Sequence, residues 1–319
     1  MSSPSILVES STSLPSVAGP LRPPFSLVIA AFAAVYLIWG STYLGIRLAI
    51  DSIPPLLMAG SRFVTAGGVL YLVMRMRGAP RPDWDHWRGS IIIGGLLLMA
   101  GNGGVCWTQQ TVPSGVAALI VASVPLWIML VDWLRPQGLR PTRRVVAGLF
   151  IGMTGVAVII LGRGALGQRV VEPVAALVLV GANICWALGS IYARHARKPS
   201  SALLGVAMQM LCGGGLQLLL GLILGEAQDL NLAAITPTSA WAFVYLTFIG
   251  SLVGFTAYIW LLQVSTPARV STHAYVNPLV AVLLGSWFLH EPISQNVIIA
   301  GALVLFSVLL ITRSSPSPK

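Results

Sequence analysis

Apolar residues fall into ten stretches between Phe25 and Thr312, each about long enough to cross a lipid bilayer. A hydrocarbon core about 30 Å thick requires roughly 20 helical residues. Short loops separate the stretches and leave no room for a water-soluble domain. The pattern predicts an all-α integral membrane protein with ten transmembrane helices, at residues 25–49, 56–75, 89–108, 114–134, 142–161, 173–193, 201–224, 240–262, 268–288 and 294–312.

The two ends of the chain lack this pattern. Residues 1–24 are rich in Ser and Pro and carry only Glu9 and Arg22 as charges, so we expect a disordered N-terminal tail. The first apolar run exceeds the roughly 7 to 15 residues of a signal-peptide core, so we expect no cleaved leader. Residues 313–319 form a short C-terminal tail.

Composition supports a membrane location and narrows the choice of partners. The chain is 56% hydrophobic and 9% charged, with a mean hydropathy of +0.84. Its net charge of +10 does not indicate nucleic-acid binding, because the arginines lie in clusters beside apolar spans, where they act as topology signals. We expect a lipid bilayer and a small-molecule substrate as partners, and no nucleic acid. Cys106, Cys185 and Cys212 lie inside predicted spans and are expected to be packing residues rather than disulfides.

The loop cations predict how the chain is oriented in the membrane. With ten spans most of them fall on one side, which should be cytoplasmic. They are Arg22, Arg75, Arg77, Arg81, Arg88, Arg135, Arg140, Arg143, Arg144, Arg194, Arg197, Lys198, Arg313 and Lys319. Only Arg163 and Arg169 lie in loops of the opposite side. We therefore expect a multi-pass protein of the cell (cytoplasmic or inner) membrane with both termini in the cytoplasm.

The two halves of the chain resemble each other. Gly40-Ser41-Thr42-Tyr43 in the first span recurs as Gly189-Ser190-Ile191-Tyr192 in the sixth, and Val146-Ala147-Gly148 recurs as Ile299-Ala300-Gly301. Five helices followed by five helices make an inverted repeat, because an odd number of spans brings the second copy into the membrane from the opposite side. The predicted five-helix repeats are residues 25–163 and residues 170–312.

Matching prolines in the two halves mark a candidate hinge. Pro125 in the fourth span and Pro278 in the ninth correspond within a residue. Two oppositely inserted halves can open a central site to one side and then to the other, as alternating-access transporters do. Because each proline removes a backbone hydrogen bond and frees a carbonyl, the pair can lie beside that site. The alternative is that both prolines only bend packed helices.

Several short motifs follow one another in a fixed order. They are Trp39-Gly40-Ser41, Arg62-Phe63, Pro113-Ser114-Gly115-Val116-Ala117, and Asn277-Pro278 with Ala281, Leu284, Gly285 and Glu291. In this combination the chain resembles the EamA-type transporters of the drug/metabolite transporter superfamily. The resemblance implies ten helices around a central cavity and export of small metabolites, commonly amino acids or related compounds. His290 departs from the pattern, since the family often has Gly there, and family membership does not fix the substrate.

Ionisable side chains inside a span are costly and are therefore candidate site residues. Arg62 could hold a substrate carboxylate, or it could satisfy helix-end carbonyls and lock the halves together. Arg47 is a weaker candidate, because Asp51 lies one helical turn away and can pair with it. All carboxylates fall at span ends, in loops or in the tail, which leaves His273 either as a packing residue or as the proton-sensitive group of a carrier.

Polar and aromatic residues that interrupt apolar runs complete the predicted site. Amides in lipid must find partners, so they should face protein or a watery cavity, whereas the tryptophans can instead serve in packing. The predicted substrate-binding residues are Trp39, Tyr43, Arg62, Asn102, Trp107, Asn183, Trp186, Gln209, Tyr258, His273, Tyr275 and Asn277.

Other classes of membrane protein fit the sequence less well. A membrane serine protease requires a Gly-x-Ser-Gly nucleophile with a histidine, and an aspartyl protease requires paired intramembrane aspartates; neither pattern is present. We expect no catalytic residue, no metal and no cofactor. A channel-like facilitator is the closer alternative, although no filter loop or acidic ring appears. Gly148 and Gly152 have a small-xxx-small spacing that serves either close helix packing or a homodimer, and both uses stay open.

Overall fold

The computed structural model describes residues 24–135, 142–162, 171–265, 267–270 and 272–314. Most of the two predicted tails, and the loop residues Arg140, Arg163 and Arg169, lie outside the described residues. Throughout the described part, helices follow one another and no strand occurs.

Eight helices within the described residues are long and apolar enough to cross a membrane. They are α1 (Phe25–Ala49), α2 (Pro55–Met76), α3 (Trp84–Thr108), α4 (Ser114–Leu134), α5 (Arg143–Leu161), α6 (Pro173–His195), α7 (Ala202–Ile223) and α8 (Pro237–Val264). Two further apolar helices follow, α9 (His273–Leu289) and α10 (Gln295–Ser314), with shorter apolar segments. Short helices lie at Glu226–Asp229, Leu232–Ala234 and Pro267–Val270. The all-α membrane fold agrees with the sequence pattern, while the count of ten membrane crossings stays a prediction.

The helix starts fall into two kinds. Asp83 and His86 form a capping box at the start of α3, in which each side chain accepts a hydrogen bond from the other's backbone N–H, at 3.0 and 3.2 Å. Ser201 caps α7 in the usual way, through its side-chain oxygen. In contrast, α2 and α4 follow Pro54 and Pro113, which offer no side-chain cap. The first N–H groups of these two helices therefore need an acceptor from elsewhere in the chain.

The third helices of the two halves, α3 and α8, share an irregularity. Gly95–Asn102 in α3 and Leu246–Val253 in α8 are π-helical, and regular α-helix resumes after each. Segments of π-helix are rare and occur frequently at functional sites. Their matching places support the division of the chain into two related halves.

The fourth helix of each half has a short first segment and a longer second one. In α4, Ser114–Val121 is separated by a turn from Val124–Leu134, so that Pro125 stands in the first turn of a helix, where proline is well tolerated. In the second half, the short helix Pro267–Val270 precedes α9, and Pro278 lies in the second turn of α9. Pro125 therefore begins a helix rather than bending a continuous one.

Helices of the two halves pack in mirrored pairs. α2 lies along α7, and α5 lies along α10. α1, the first helix of the first half, packs against α8 and α9 of the second half. In the same way α6, the first helix of the second half, packs against α3 and α4 of the first half. This arrangement is the one expected of two oppositely inserted repeats related by a pseudo-twofold axis.

Glycines bring two of these pairs into very close contact. A methyl group added at Gly60 of α2 would stand 2.8 Å from the carbonyl oxygen of Gly214 in α7. In the other pair, Gly148 and Gly152 of α5 lie directly against Ser307 of α10. The small-xxx-small face is thus covered by a helix of the same chain. A homodimer stays a prediction, and it would need another surface.

Candidate functional site

An aromatic cluster joins α1, α8 and α9. The ring of Trp39 lies 4.9 Å from that of Tyr258, 5.2 Å from that of Phe255 and 5.3 Å from that of His273, between centroids. His273 also meets Tyr258 at 5.6 Å, and its Nδ1 lies 2.9 Å from the carbonyl oxygen of Val270. Trp39, Tyr258 and His273, three predicted site residues from distant parts of the sequence, are therefore neighbours.

Asn277 adds a polar edge to this cluster. It lies one helical turn along α9 from His273 and is buried, with 9% of its surface exposed. An amide turned with its nitrogen toward α1 would donate to the carbonyl oxygens of Tyr36 and His273, each 3.2 Å away. The hydroxyls of Tyr36 and Thr272 are hydrogen-bonded to each other. These contacts tie α1 to the start of α9.

A second group surrounds Arg62 of α2. The side chain is 3% exposed, and its Nη2 donates to Asn102 Oδ1 in α3 at 2.8 Å. The guanidinium carbon lies 4.4 Å from the centre of the Phe63 ring, and the Cys106 thiol donates to the same Asn102 oxygen at 3.4 Å. Asn102 is the last residue of the π-helical segment in α3. The irregular helix thus supplies the acceptor that orients Arg62.

Arg62 lacks the partner that a buried cation normally has. Among the described residues no carboxylate lies within salt-bridge distance of Arg62, no helix-end carbonyl accepts from it, and its Nε has no hydrogen-bond partner. Burying a charge is costly unless it is paired and hydrogen-bonded. The described contacts of Arg62 therefore do not include the hydrogen bonds to helix-end carbonyls that were one of its two predicted roles. They also leave the Nε–H of the guanidinium without an acceptor.

Buried amides serve the irregular helices. Asn183 of α6 donates through Nδ2 to the carbonyl of Ile120, at 2.8 Å, and to Ser123 Oγ, at 3.2 Å, at the break in α4. Gln217 of α7 donates at 2.7 Å to the carbonyl of Leu98 in the π-helical segment of α3. Backbone groups that are freed inside a membrane must find such partners. The Asn183 amide is used in this way, and Gln217 was missed because nothing in a single sequence marks Leu98 as irregular.

Other predicted site residues have described contacts with further parts of the bundle. Trp186 of α6 packs against Gly101 in the π-helical segment of α3, where a methyl group would stand 2.8 Å from its ring. The Tyr275 hydroxyl donates to the carbonyl of Val308 at 2.9 Å and so joins α9 to α10. Tyr43 is partly buried against the cluster of apolar side chains that includes Val116. None of these three contacts is with the Arg62 side chain or with the aromatic cluster, and a single site formed by all twelve candidates stays a prediction.

Gln209 and Trp107 are two further predicted site residues. The backbone carbonyl of Gln209 packs against Gly94 of α3, and no described contact joins its side chain to Arg62. Trp107 is half-buried, and its backbone carbonyl accepts a hydrogen bond from Gln110 at 3.0 Å. Arg62 and Gln209 occupy matching places in the sequences of the two halves, and an arrangement of the two across a central cavity stays a prediction.

Two glutamates supply the caps that α2 and α4 lack. The Glu226 carboxylate accepts from the N–H of Leu56, at 3.0 Å, and from the N–H of Leu57, at 2.9 Å. The Glu291 carboxylate accepts from the Ser114 N–H at 2.7 Å, from the Ser114 hydroxyl at 3.0 Å and from the Gly115 N–H at 3.1 Å. A carboxylate at a helix N-terminus is stabilised by the free N–H groups and by the helix dipole. In each case the second half of the chain caps a helix of the first half.

Both glutamates follow a residue in the left-handed region of backbone conformation. Gly225 has a φ of 86° and His290 a φ of 54°. Glycine is favoured there because it has no Cβ, whereas a residue such as His is disfavoured. His290 therefore occupies the position at which the family often has Gly, at the end of α9. The sequence signal for these caps was available: helices that begin after Pro54 and Pro113 without a capping side chain of their own.

Each end of the bundle is held by contacts between the two halves. At the end that carries Glu291, called the Glu291 end, the Ser239 hydroxyl of α8 donates to the carbonyl of Leu48 in α1 at 2.7 Å. At the opposite end, called the Asp85 end, Arg197 Nη1 beyond α6 lies 2.6 Å from Asp85 Oδ2 in α3. Both members of this ion pair are solvent-exposed, so it contributes little stability.

A cavity opens between the halves at the Glu291 end. Its volume is about 370 Å³, within the range of small-molecule sites. Residues of α1 and of the segment before α4 line one wall, and residues of the second half line the other. The polar ones are Arg47, Asp51, Gln110, Thr111, Thr238 and Glu291.

Comparison with known proteins decides the family. The model of the EamA-like transporter family matches residues 26–161 and, a second time, residues 173–313. The chain belongs to the EamA-like transporter family. The predicted family is thereby confirmed, and this EamA-like chain is a membrane transporter. The two matched stretches hold α1–α5 and α6–α10.

Similar chains agree with this assignment. The chain is 36% identical over 287 residues to "Uncharacterized inner membrane transporter YedA" of Escherichia coli (strain K12), covering 89% of this chain and 90% of that protein. It is 24% identical over 287 residues to "Probable amino-acid metabolite efflux pump" of Salmonella typhimurium (strain LT2), covering 87% and 91%. A solved structure titled "Crystal structure of protein" superposes with a TM-score of 0.61 at 22% identity, covering 90% of this chain and 98% of that one. The likeness to this solved structure shows that the two chains have the same fold.

Proposed function

We propose that this EamA-like transporter is a secondary exporter of small metabolites that carry a carboxylate, such as amino acids, and that it works by alternating access around a central cavity. The observation that carries the proposal is Arg62, a buried cation with an unpartnered Nε and no carboxylate within salt-bridge distance among the described residues. A substrate carboxylate would accept from the guanidinium and supply the missing counter-charge.

The mirrored helix pairs support alternating access. α1 with α8 holds the Glu291 end, and α6 with α3 holds the Asp85 end, so the same structural relation occurs once in each orientation. Opening one end while the other stays held would expose a central site to one side only. The π-helical segments of α3 and α8 lie in these same pairs, where a helix that departs from regular geometry can adjust its contacts.

The substrate class draws on chemistry and on similarity. Arg62 favours an anionic group, and the aromatic cluster around Trp39 offers apolar ring surface for the remainder of a small molecule. The Salmonella relative is named a probable amino-acid metabolite efflux pump. An amino acid or a related compound satisfies both features.

Energy coupling is proposed to involve His273 or no proton at all. His273 is a titratable side chain within the aromatic cluster, hydrogen-bonded to Val270, and histidine is the residue whose ordinary charge change falls near physiological pH. The protein would be either a facilitator driven by the substrate gradient or a carrier whose proton sensitivity passes through His273. Accumulation driven by an imposed pH gradient that persists in His273→Gln proteoliposomes would contradict this part of the proposal.

Reconstitution into proteoliposomes tests the main proposal. Uptake would be measured with a panel of amino acids, sugars and nucleotide sugars. We expect saturable transport and counterflow for at least one carboxylate-bearing compound and none for neutral sugars. Flux that does not saturate, or that shows no counterflow, would indicate a channel-like facilitator instead. Transport confined to neutral sugars would overturn the role given to Arg62.

A further inference from the structure

The caps provided by Glu226 and Glu291 look alike but lie in different surroundings. Both carboxylates bind the first N–H groups of a helix from the other half of the chain. Glu226 is buried, with 8% of its surface exposed. Glu291 is half-buried and lines the cavity at the Glu291 end. One cap is closed off from solvent and the other can be reached from it.

The helices that each cap joins also differ. Glu226 holds α2 against α7, whose backbones touch at Gly60 and Gly214, so this pair has little freedom to separate. Glu291 holds the start of α4 against the end of α9, and both of these helices follow the plan of a short first segment, a break and a longer second segment. The first segment of α4, Ser114–Val121, is thus connected to the rest of α4 through a turn.

Among the described residues of the Asp85 end, no carboxylate caps a helix of the other half. Gly78 has a φ of 83° after α2, as Gly225 has a φ of 86° after α7, but the residue that follows is Ala79 where the second half has Glu226. The stretch RPQGLRP after α4, residues 135–141, contains no Asp or Glu in its sequence. In the loop after α2 the carboxylate of Asp83 caps α3 of its own half, and the stretch after α4 has none, so neither loop supplies a carboxylate cap to a helix of the second half. The caps break the symmetry of the two halves.

We infer that Glu291 is the releasable latch of the Glu291 end, a positioning residue that holds the first segment of α4 against α9 and so sets how often this end opens, whereas Glu226 is a permanent tie. The inference rests on the proposed alternating access. Its mechanism is exchange of hydrogen bonds: when the end opens, the carboxylate leaves the N–H groups of Ser114 and Gly115 and is solvated by water that enters from the adjoining cavity. Because the described residues place such a latch at this end and none at the Asp85 end, the resting protein is closed at the Glu291 end.

The test measures opening without any transported compound. Ala118 lies one turn beyond Ser114 on α4 and is 1% exposed, so a cysteine there should react only when the end opens. The natural cysteines, Cys106, Cys185 and Cys212, would be replaced by Ser in this background. The rate at which a membrane-impermeant maleimide modifies Ala118→Cys is then compared in proteoliposomes with and without Glu291→Gln.

We expect Glu291→Gln to raise the labelling rate by about tenfold or more, because a neutral amide cannot replace three hydrogen bonds to a charged acceptor. Glu226→Gln is the matched control, since it removes the same charge from the same kind of cap. It should lower the thermal stability without raising the labelling rate. Unchanged labelling in Glu291→Gln, or an equal rise in both variants, would overturn the inference.

A milder variant keeps the test decisive if Glu291→Gln fails to fold. Ser114→Ala removes only the hydroxyl contact to Glu291, at 3.0 Å, and leaves both backbone contacts in place. It should raise labelling in the same direction by a smaller factor than Glu291→Gln, because it removes one of the three hydrogen bonds to the carboxylate. A Ser114→Ala protein that labels like the parent would count against the latch. Since no substrate is present, a wrong substrate class would leave this result unaffected.

Discussion

Replacing Arg62 should separate stability from transport. In Arg62→Gln the protein loses one hydrogen bond from a charged group, to Asn102 at 2.8 Å, a loss of about 1.5–3 kcal/mol. The substitution also removes a buried charge that has no carboxylate partner among the described residues. An uncompensated ion in the interior costs several kcal/mol, so its removal is stabilising. We therefore expect a melting temperature equal to that of the parent or higher.

Transport should respond in the opposite way. Two charge-assisted hydrogen bonds to a substrate carboxylate are worth at least about 3 kcal/mol, which corresponds to a factor of about 100 or more in affinity. The assay is counterflow of a radiolabelled amino acid in proteoliposomes, with thermal unfolding of the same preparations in detergent. Arg88→Gln, which removes an exposed arginine, is the matched control.

Either of two results would refute this reasoning. If Arg62→Gln transports at the parent rate, the guanidinium does not hold the substrate. If transport is lost and the melting temperature falls by 5 °C or more, on the order of 1–2 kcal/mol for a domain of ordinary size, Arg62 contributes to the fold through contacts beyond Asn102. A mere loss of transport with unchanged stability is the outcome that the buried and unpaired charge predicts.

Three further predictions follow from the fold. A cysteine at the exposed position Asp229 should react with an external impermeant maleimide while one at Arg81 should not, and the reverse pattern would overturn the orientation predicted from the loop arginines. Asn183→Leu should lower the stability by about 1–3 kcal/mol in thermal unfolding, because the Ile120 carbonyl and the Ser123 hydroxyl at the break in α4 each lose one hydrogen bond. An unchanged melting temperature would mean that another group replaces the amide. Gly152→Leu should destabilise by about 1–3 kcal/mol or more, since its side chain would meet α4 and α10, and cross-linking should show the same oligomeric state as the parent, which a dimer formed through this face would not.

Hydropathy alone predicted the helices of this chain closely. The first span was expected at 25–49 and is found at Phe25–Ala49, and the second was expected at 56–75 and is found at Pro55–Met76. Long apolar runs bounded by prolines and charged loops leave little choice of helix limits. The ninth span, expected as one helix over 268–288, was less exact. The structure has a short helix at Pro267–Val270 followed by α9 from His273. Hydropathy did not reveal this interruption, because a break near a proline does not change the hydropathy of the residues around it.

The candidate site was predictable only in part, because its contacts are long-range. Polarity inside apolar runs correctly pointed to buried residues such as Arg62, Asn183 and Asn277. It did not distinguish the cation that lacks a carboxylate from the amide that is used to satisfy a broken helix. Asn183 meets Ile120 across 63 positions of the chain, and no local pattern encodes that contact. The contact of Glu291 with the start of α4 is likewise long-range, and the sequence alone places Glu291 only in a loop after a span.

The π-helical segments of α3 and α8 change what a helical wheel can say about these helices. A π-bulge arises when one residue is inserted into an α-helix, and each inserted residue rotates everything after it by about 100° around the helix axis. Residues on either side of Gly95–Asn102 therefore follow two different phases. Deleting a single residue before Asn102 would restore one phase and turn Asn102 and Cys106 together relative to Arg62, while the helix kept its hydropathy. Mutational scans that score only apolarity would class such a deletion as silent, although it would dismantle the surroundings of Arg62.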